Sequence, residues 1–296
     1  MRNYRNLTAM FFITILCAGN GVSQTINLNS SNLPVFIINT NGQIIPNEPK
    51  ITADMKVIYR GSGIRNSVTD TIYHYNGKIG IELRGSSSQQ FPKKQYSVET
   101  RDATGADMDF PLLGFPEESD WILYAPYTDK SMYRDVLVYN LAAKMGDYAS
   151  RYKFCELVLN NEYMGVYVLF EKIKRDKNRV SISKCEIADT TGDALTGGYI
   201  YKLDKLDGAD ISGWYSDFLP FPNSHSKIFY QYHYPKQEDI RPEQKTYLQN
   251  KVHDFEATMN MSNFADSLIG YPSIIDVPSF VDFFVLNELS KNVSKF

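Results

Sequence analysis

Arg84, the small-residue stretch Gly85-Ser-Ser-Ser88, Lys93 and Lys94 combine three cations with a flexible loop. A glycine followed by serines lets backbone approach a ligand closely and offers N–H and O–H donors. One cationic head precedes the stretch and two follow it, an arrangement suited to holding a phosphate. A serine-rich turn beside lysines is also an ordinary solvated hairpin. The residues alone leave both readings open.

Strands must carry that loop. Apolar, β-branched runs at 33–39 and 51–59 read as strands. Residues 71–75 and 78–84 read as a hairpin joined at Asn76-Gly77, because Asn-Gly favours the positive φ of a tight turn. The serine loop then leads into a strand at 95–100. Alternation along a strand sends one of Lys93 and Lys94 to a cleft and the other to solvent, with Lys94 the favoured inward residue. A short apolar run at 121–124 precedes a helix at 132–145. Asp129 or Ser131 would cap that helix and Gly146 would end it, with Leu137, Leu141 and Met145 on its apolar face. Residues 154–159 and 164–170 read as a hairpin, and 180–183, 199–203 and 228–234 as further strands. Helices are expected at 243–259 and 280–291, the last apolar nearly all round and therefore in want of burial.

Composition sets the bounds. With 43% hydrophobic and 14% aromatic residues, the chain can build a sizeable core in one large or two modest domains. Residues 1–23 carry Arg2 and Arg5, an apolar run and small residues before Gln24, which predicts a secretory signal and hence export. Residues 24–32 read as a linker. The bulky Leu16 before Cys17 argues against a lipid anchor there. A net charge of −3 with no basic stripe argues against nucleic acid as a partner. No later apolar run is long enough for a transmembrane segment. The four histidines lack metal spacing, and there is no Cys-x-x-Cys, phosphate-binding Walker loop or Gly-x-Ser-x-Gly elbow. Asp107 and Asp109 lack the ligand set of a calcium loop, and Glu117, Glu118 and Asp120 read as a solvated turn. No metal ligand is assigned. Cys155 reads as a small buried hydrophobe, although export would permit its pairing with Cys185.

Several stretches taken in order resemble the CotH family of secreted and spore-coat atypical kinases. They are Arg84-Gly-Ser-Ser-Ser, Pro92-Lys-Lys-Gln-Tyr96, Asp120-Trp-Ile-Leu-Tyr-Ala-Pro126 and Arg134. Leu159-Asn-Asn-Glu-Tyr-Met-Gly-Val-Tyr167, Phe170-Glu-Lys-Ile173 and Thr196-Gly-Gly-Tyr-Ile-Tyr-Lys-Leu-Asp204 continue the similarity, which runs from about Leu33 to about Val293. The resemblance implies an α+β, protein-kinase-like two-lobe architecture. Its mainly antiparallel β small lobe would cover 33–171, and a partial, more helical large lobe 172–296. It also implies ATP and a divalent metal (magnesium) as cofactors, and a partner protein whose Ser accepts the phosphoryl group in active members.

On that resemblance Arg84, Lys93, Lys94 and Glu171 are the nucleotide-binding candidates. Arg84 would support the phosphates or pair with Glu82 or Glu99. Glu171 would reach ribose or base, or pair with Lys172 or Lys174. Arg134 departs from the glutamate that ordinary protein kinases carry in this helix; Asp135 and Asp129 are the nearest acids, and no lysine–glutamate switch is assigned. In the family, acids that hold metal and orient the hydroxyl follow the segment matching 288–293, whereas here Ser294-Lys-Phe296 follows. The expectation is either a fragment or a naturally truncated member, in both cases without phosphotransfer as it stands and with its catalytic residues unassigned. The alternative is an exported surface scaffold or ligand-binding module, with Trp214, Tyr215, Tyr230, Tyr232 and Tyr234 as its aromatic surface.

Overall fold

The computed structural model describes residues 28–204 and 212–291. Up to residue 171, much of the described chain alternates apolar and polar residues with the period of strands, and these stretches pair accordingly. The elements are β1 (Ser30–Ser31), β2 (Val35–Asn39), β3 (Ile51–Ile58), β4 (Asn66–Ser67), β5 (Tyr75–Arg84), β6 (Gln95–Arg101) and β7 (Asp120–Tyr124). Helix α1 (Arg134–Met145) follows, then the hairpin β8 (Tyr152–Leu159) and β9 (Glu162–Glu171). Seven of these strands form a closed barrel in the order β2-β3-β5-β6-β7-β9-β8. The parallel pairing of β2 with β8 closes it, and its other neighbours are antiparallel. Phe36, Ile38, Met55, Ile81, Trp121, Leu123 and Tyr167 fill the interior. Closure removes the exposed sheet edges that an open sheet would present.

After the barrel, β10 (Ile200–Leu203), β11 (Gly213–Tyr215) and β12 (Phe229–Tyr234) form a separate antiparallel sheet in the order β10-β12-β11. Helices α2 (Pro242–Met259) and α3 (Val277–Ser290) complete the described chain. The composition is the expected mixture of strands and helices. The barrel closure is a correction: the expected kinase-like small lobe is here a closed barrel, because β2 finds a parallel partner more than a hundred residues away. No described helix is long and apolar enough to cross a membrane. The expected signal at 1–23, with Cys17, lies outside the described residues. The end of the expected linker is paired: Ser30 and Ser31 oppose Ser67 and Asn66, and the Ser31 hydroxyl donates to Glu156 at 2.8 Å.

Local corrections have physical causes. Asn76-Gly77 is not a turn but lies inside β5, opposite Lys56 and Met55. The Tyr75 ring folds back over Gly77 and donates its hydroxyl to the Lys78 carbonyl at 2.6 Å. A Cβ at Gly77 would sit 3.0 Å from that hydroxyl, so the glycine serves close packing. The positive-φ turn falls instead at Asn160-Asn161 (φ 51° and 67°), between β8 and β9. Helix α1 is capped as expected: the Asp129 carboxylate accepts the N–H groups of Tyr133 and Arg134, both at 2.9 Å, and Gly146 ends it at φ 99°. Its buried face is not the expected one, since Leu137 and Met145 are exposed. Val136 and Tyr139 instead pack on Ile122, Val168 and Phe170 outside the barrel. Residues 180–183 form no strand, only a bridge between Arg175 and Val180. The apolar α3 meets α1 but leaves Phe280, Phe283, Phe284 and Leu289 more than half exposed.

Candidate functional site

Strands β5 and β6 pair with Arg84 opposite Gln95, which anchors the serine loop at both ends. Residues Ser87–Gln90 form a short 3-10 turn inside it. Gly85 has φ 97°, and a side chain there would collide with the Ser88 hydroxyl, so the position demands glycine. Gln89 fastens the loop by donating from Nε2 to Asn47 Oδ1 at 2.5 Å and to the Gly85 carbonyl. Lys94 Nζ donates to the Gln89 carbonyl at 2.5 Å, so it braces the loop from behind. Lys93 turns to the other side. Its ammonium donates to the Val166 carbonyl at 2.5 Å and lies 4.6 Å from the centre of the Tyr167 ring. Burial lowers its pKa, against the opposing pull of Cys155 and Glu156. The two lysines are thus divided, but neither is simply solvated.

Outward-facing residues of β5 and β6 border a cavity of about 620 Å³. Arg84, Gly85, Ser86 and Gln89 form one wall. Glu48, Glu82 and Ser97 line it from the barrel, and Asp204, just past β10, from the second sheet. Arg84 is its cation. Surrounding protein lowers the guanidinium pKa by desolvation, while Tyr139 and Asp204 pull it back up. Neither Glu82 nor Glu99 pairs with Arg84; Glu99 is taken by Lys50 and Arg101, each at 2.8 Å. Burial pushes the Glu82 carboxyl up, partly offset by Lys50 and Lys172. Among the described residues no three His, Cys, Asp or Glu side chains gather as a metal site.

Glu171 is 1% exposed and sits elsewhere, at the end of β9. Its carboxylate accepts Arg151 Nη2 at 2.7 Å, Arg151 Nε at 2.9 Å and the Arg151 backbone N–H at 3.0 Å. Arg179 Nε lies 3.9 Å from Oε1, the oxygen that also accepts Arg151 Nη2. Its partners are arginines, in place of the expected Lys172 or Lys174. Lys174 reaches Glu118 at 2.8 Å and Asp120 at 3.0 Å. Glu118, expected in a solvated turn, is therefore buried and paired. Burial would raise the Asp120 carboxyl, but Lys172, Lys174 and Lys50 outweigh it and hold its pKa at about 2. This ladder of charges along the outside of the barrel was missed in the sequence. Its signal was there: Glu99, Arg101 and Asp120 occupy outward positions of strands whose alternate residues are apolar. The acids of the first helix are engaged as well, Asp129 in capping and Asp135 in accepting the Tyr124 hydroxyl. Cys155 and Cys185 are both free thiols, and burial pushes the Cys155 thiol up.

Of the four candidates, the structure puts Arg84 in the cavity and Lys94 one hydrogen bond behind its wall. Lys93 and Glu171 serve other contacts. These features define a mixed α+β domain that presents a cationic, glycine-turned loop to a cleft beside a closed barrel. The chain belongs to the CotH kinase protein family, whose model matches residues 81–295, from within β5 onward. None of the curated proteins compared with the chain matches it.

Proposed function

We propose that this chain binds ATP, with the phosphates at Arg84, Gly85 and Ser86 and the rest of the nucleotide in the adjoining cavity. One observation carries the reading: a guanidinium without a carboxylate partner from its own sheet shares the cavity with a glycine that admits no side chain. A guanidinium fork suits phosphate oxygens, and backbone lacking a Cβ can approach them closely. Lys94 contributes through Gln89, by fixing the loop. Lys93 and Glu171 act at a distance, by holding β9 and the segment that follows it. In kinase-like terms, the barrel would take the place of the small lobe and the chain from residue 172 onward that of an incomplete large lobe, with Asp204 lining the cavity opposite the barrel.

Phosphoryl transfer to a Ser of a partner protein needs acids that orient the hydroxyl and hold metal. We assign that role to no described residue, so the reading stops at nucleotide binding. Export through residues 1–23 belongs to the same proposal. Thermal unfolding tests it. ATP at roughly tenfold excess over Kd should stabilise the wild type by about 1.4 kcal/mol, read as a raised melting temperature. Arg84→Ala should remove most of that gain while unfolding normally without ligand. An equal gain in the variant, or none in the wild type at millimolar ATP, overturns the proposal.

A further inference from the structure

A second cavity, of about 330 Å³, shares no residue with the first and lies between the β11 segment and α2. Trp214, Ser216 and Asp217 face Gln249, Asn250, His253 and Glu256 across it. Positions 249, 253 and 256 share a helix face by their spacing, and 250 adjoins it. The polar groups are held in place. Glu256 Oε1 accepts the Ser216 hydroxyl at 2.6 Å and the Tyr230 hydroxyl at 2.9 Å, which leaves Oε2 as a further acceptor. Asp217 Oδ2 lies 2.8 Å from His253 Nδ1. Gln249 Nε2 donates to the Tyr232 hydroxyl at 2.6 Å, leaving its carbonyl oxygen as an acceptor. The Trp214 indole packs among Tyr232, Tyr230 and Tyr201, with centroids 4.9, 5.2 and 6.2 Å away, and is thereby fixed in orientation.

We infer that this cavity binds a neutral sugar ring of monosaccharide size, between the Trp214 indole and the polar face of α2. The lining excludes other ligand classes in turn. The Glu256 and Asp217 carboxylates repel phosphates and acidic sugars, and the one imidazole of the lining, His253, is already engaged by Asp217. An apolar ligand would strip water from those carboxylates without replacing its hydrogen bonds. A compact cation would satisfy the carboxylates but leave much of the volume unfilled. A sugar hydroxyl both donates and accepts, so it can give to Glu256 and Asp217 and take from Asn250. The C–H face of the ring would lie against the indole. The volume is at the small end of the range for ligand sites, roughly 300–1,000 Å³.

Intrinsic fluorescence tests this selectively. The chain has two tryptophans, and Trp121 is 0% exposed inside the barrel, so a ligand-induced change reports Trp214. The full chain is titrated with neutral methyl hexosides and N-acetylhexosaminides, with 1,4-diaminobutane and with glucuronate. Saturable binding of a neutral glycoside is expected, weakened about tenfold by Asn250→Ala, the loss typical of one hydrogen bond. Asn250 is exposed on α2, so this variant should keep its fold; Glu256→Gln offers a second variant of unchanged shape. Saturation by no neutral glycoside, saturation by the diamine or glucuronate alone, or unaltered affinity in both variants overturns the inference.

Discussion

The barrel and the chain that follows it place their apolar residues differently. Trp121, Leu123 and Tyr167 are 0% exposed inside the barrel, whereas Phe284 is 58% and Leu289 69% exposed on α3. Both segments are rich in large hydrophobes, so composition does not separate them. Closure does. A sheet that pairs its first strand with its penultimate one surrounds its own core, while an apolar helix needs a neighbour of matching length. The barrel is therefore the part able to hold a loop in fixed geometry. The Arg84–Gln89 loop is mounted on it, and the charge ladder stiffens its outer face. The later sheet and helices enclose a smaller cavity by side-chain contacts between two elements, β11 and α2.

This contrast can be broken by substitution. The largest effect is expected in the barrel, where Leu123→Ala should cost about 3–4 kcal/mol in urea unfolding through lost burial and an unfilled cavity. A cost below about 1 kcal/mol would mean that the interior is loosely packed. Next comes acid. The folded Asp120 carboxyl titrates at about 2 against an ordinary 3.8, so its stabilisation is full above pH ~4 and is lost as pH falls through about 2. The shift corresponds to about 2 kcal/mol, and Asp120→Asn should flatten the stability profile in that window. An unchanged acid profile in this variant would show that the ladder does not set it. The smallest effect belongs to α3: Phe284→Ser should change stability by no more than about 0.5 kcal/mol, as for other exposed positions. A cost of several kcal/mol in equilibrium unfolding would show that the helix is covered in solution.

Local features were legible in the sequence and distant pairings were not. Most strand positions followed from alternation, although 71–74 and 180–183 form none, and the cap of α1 followed from Asp129 and its end from Gly146, because each depends on neighbours a few residues away. Gly85 marked the loop for the same reason. The pairing of β2 with β8 could not be read, since a parallel register between residues 35–38 and 156–159 leaves no local trace. Asn76-Gly77 misled because its glycine answers to the Tyr75 ring and not to a turn. Glu171 directly follows the expected strand at 164–170 and ends β9. Its adjacent lysines suggested partners, but Arg151 and Arg179, brought in by the neighbouring strand and the following loop, occupy it. The cavity at Trp214 was visible only as an excess of aromatic residues, since its carboxylates and amides come from elements far apart in the chain.

The most direct test of the account is backbone hydrogen exchange with and without ATP, read peptide by peptide. If the phosphates rest on the barrel-mounted loop, amides across residues 84–90 slow on nucleotide binding, and in Arg84→Ala they do not. Unchanged exchange across 84–90, with protection confined to β11 and α2, would contradict it.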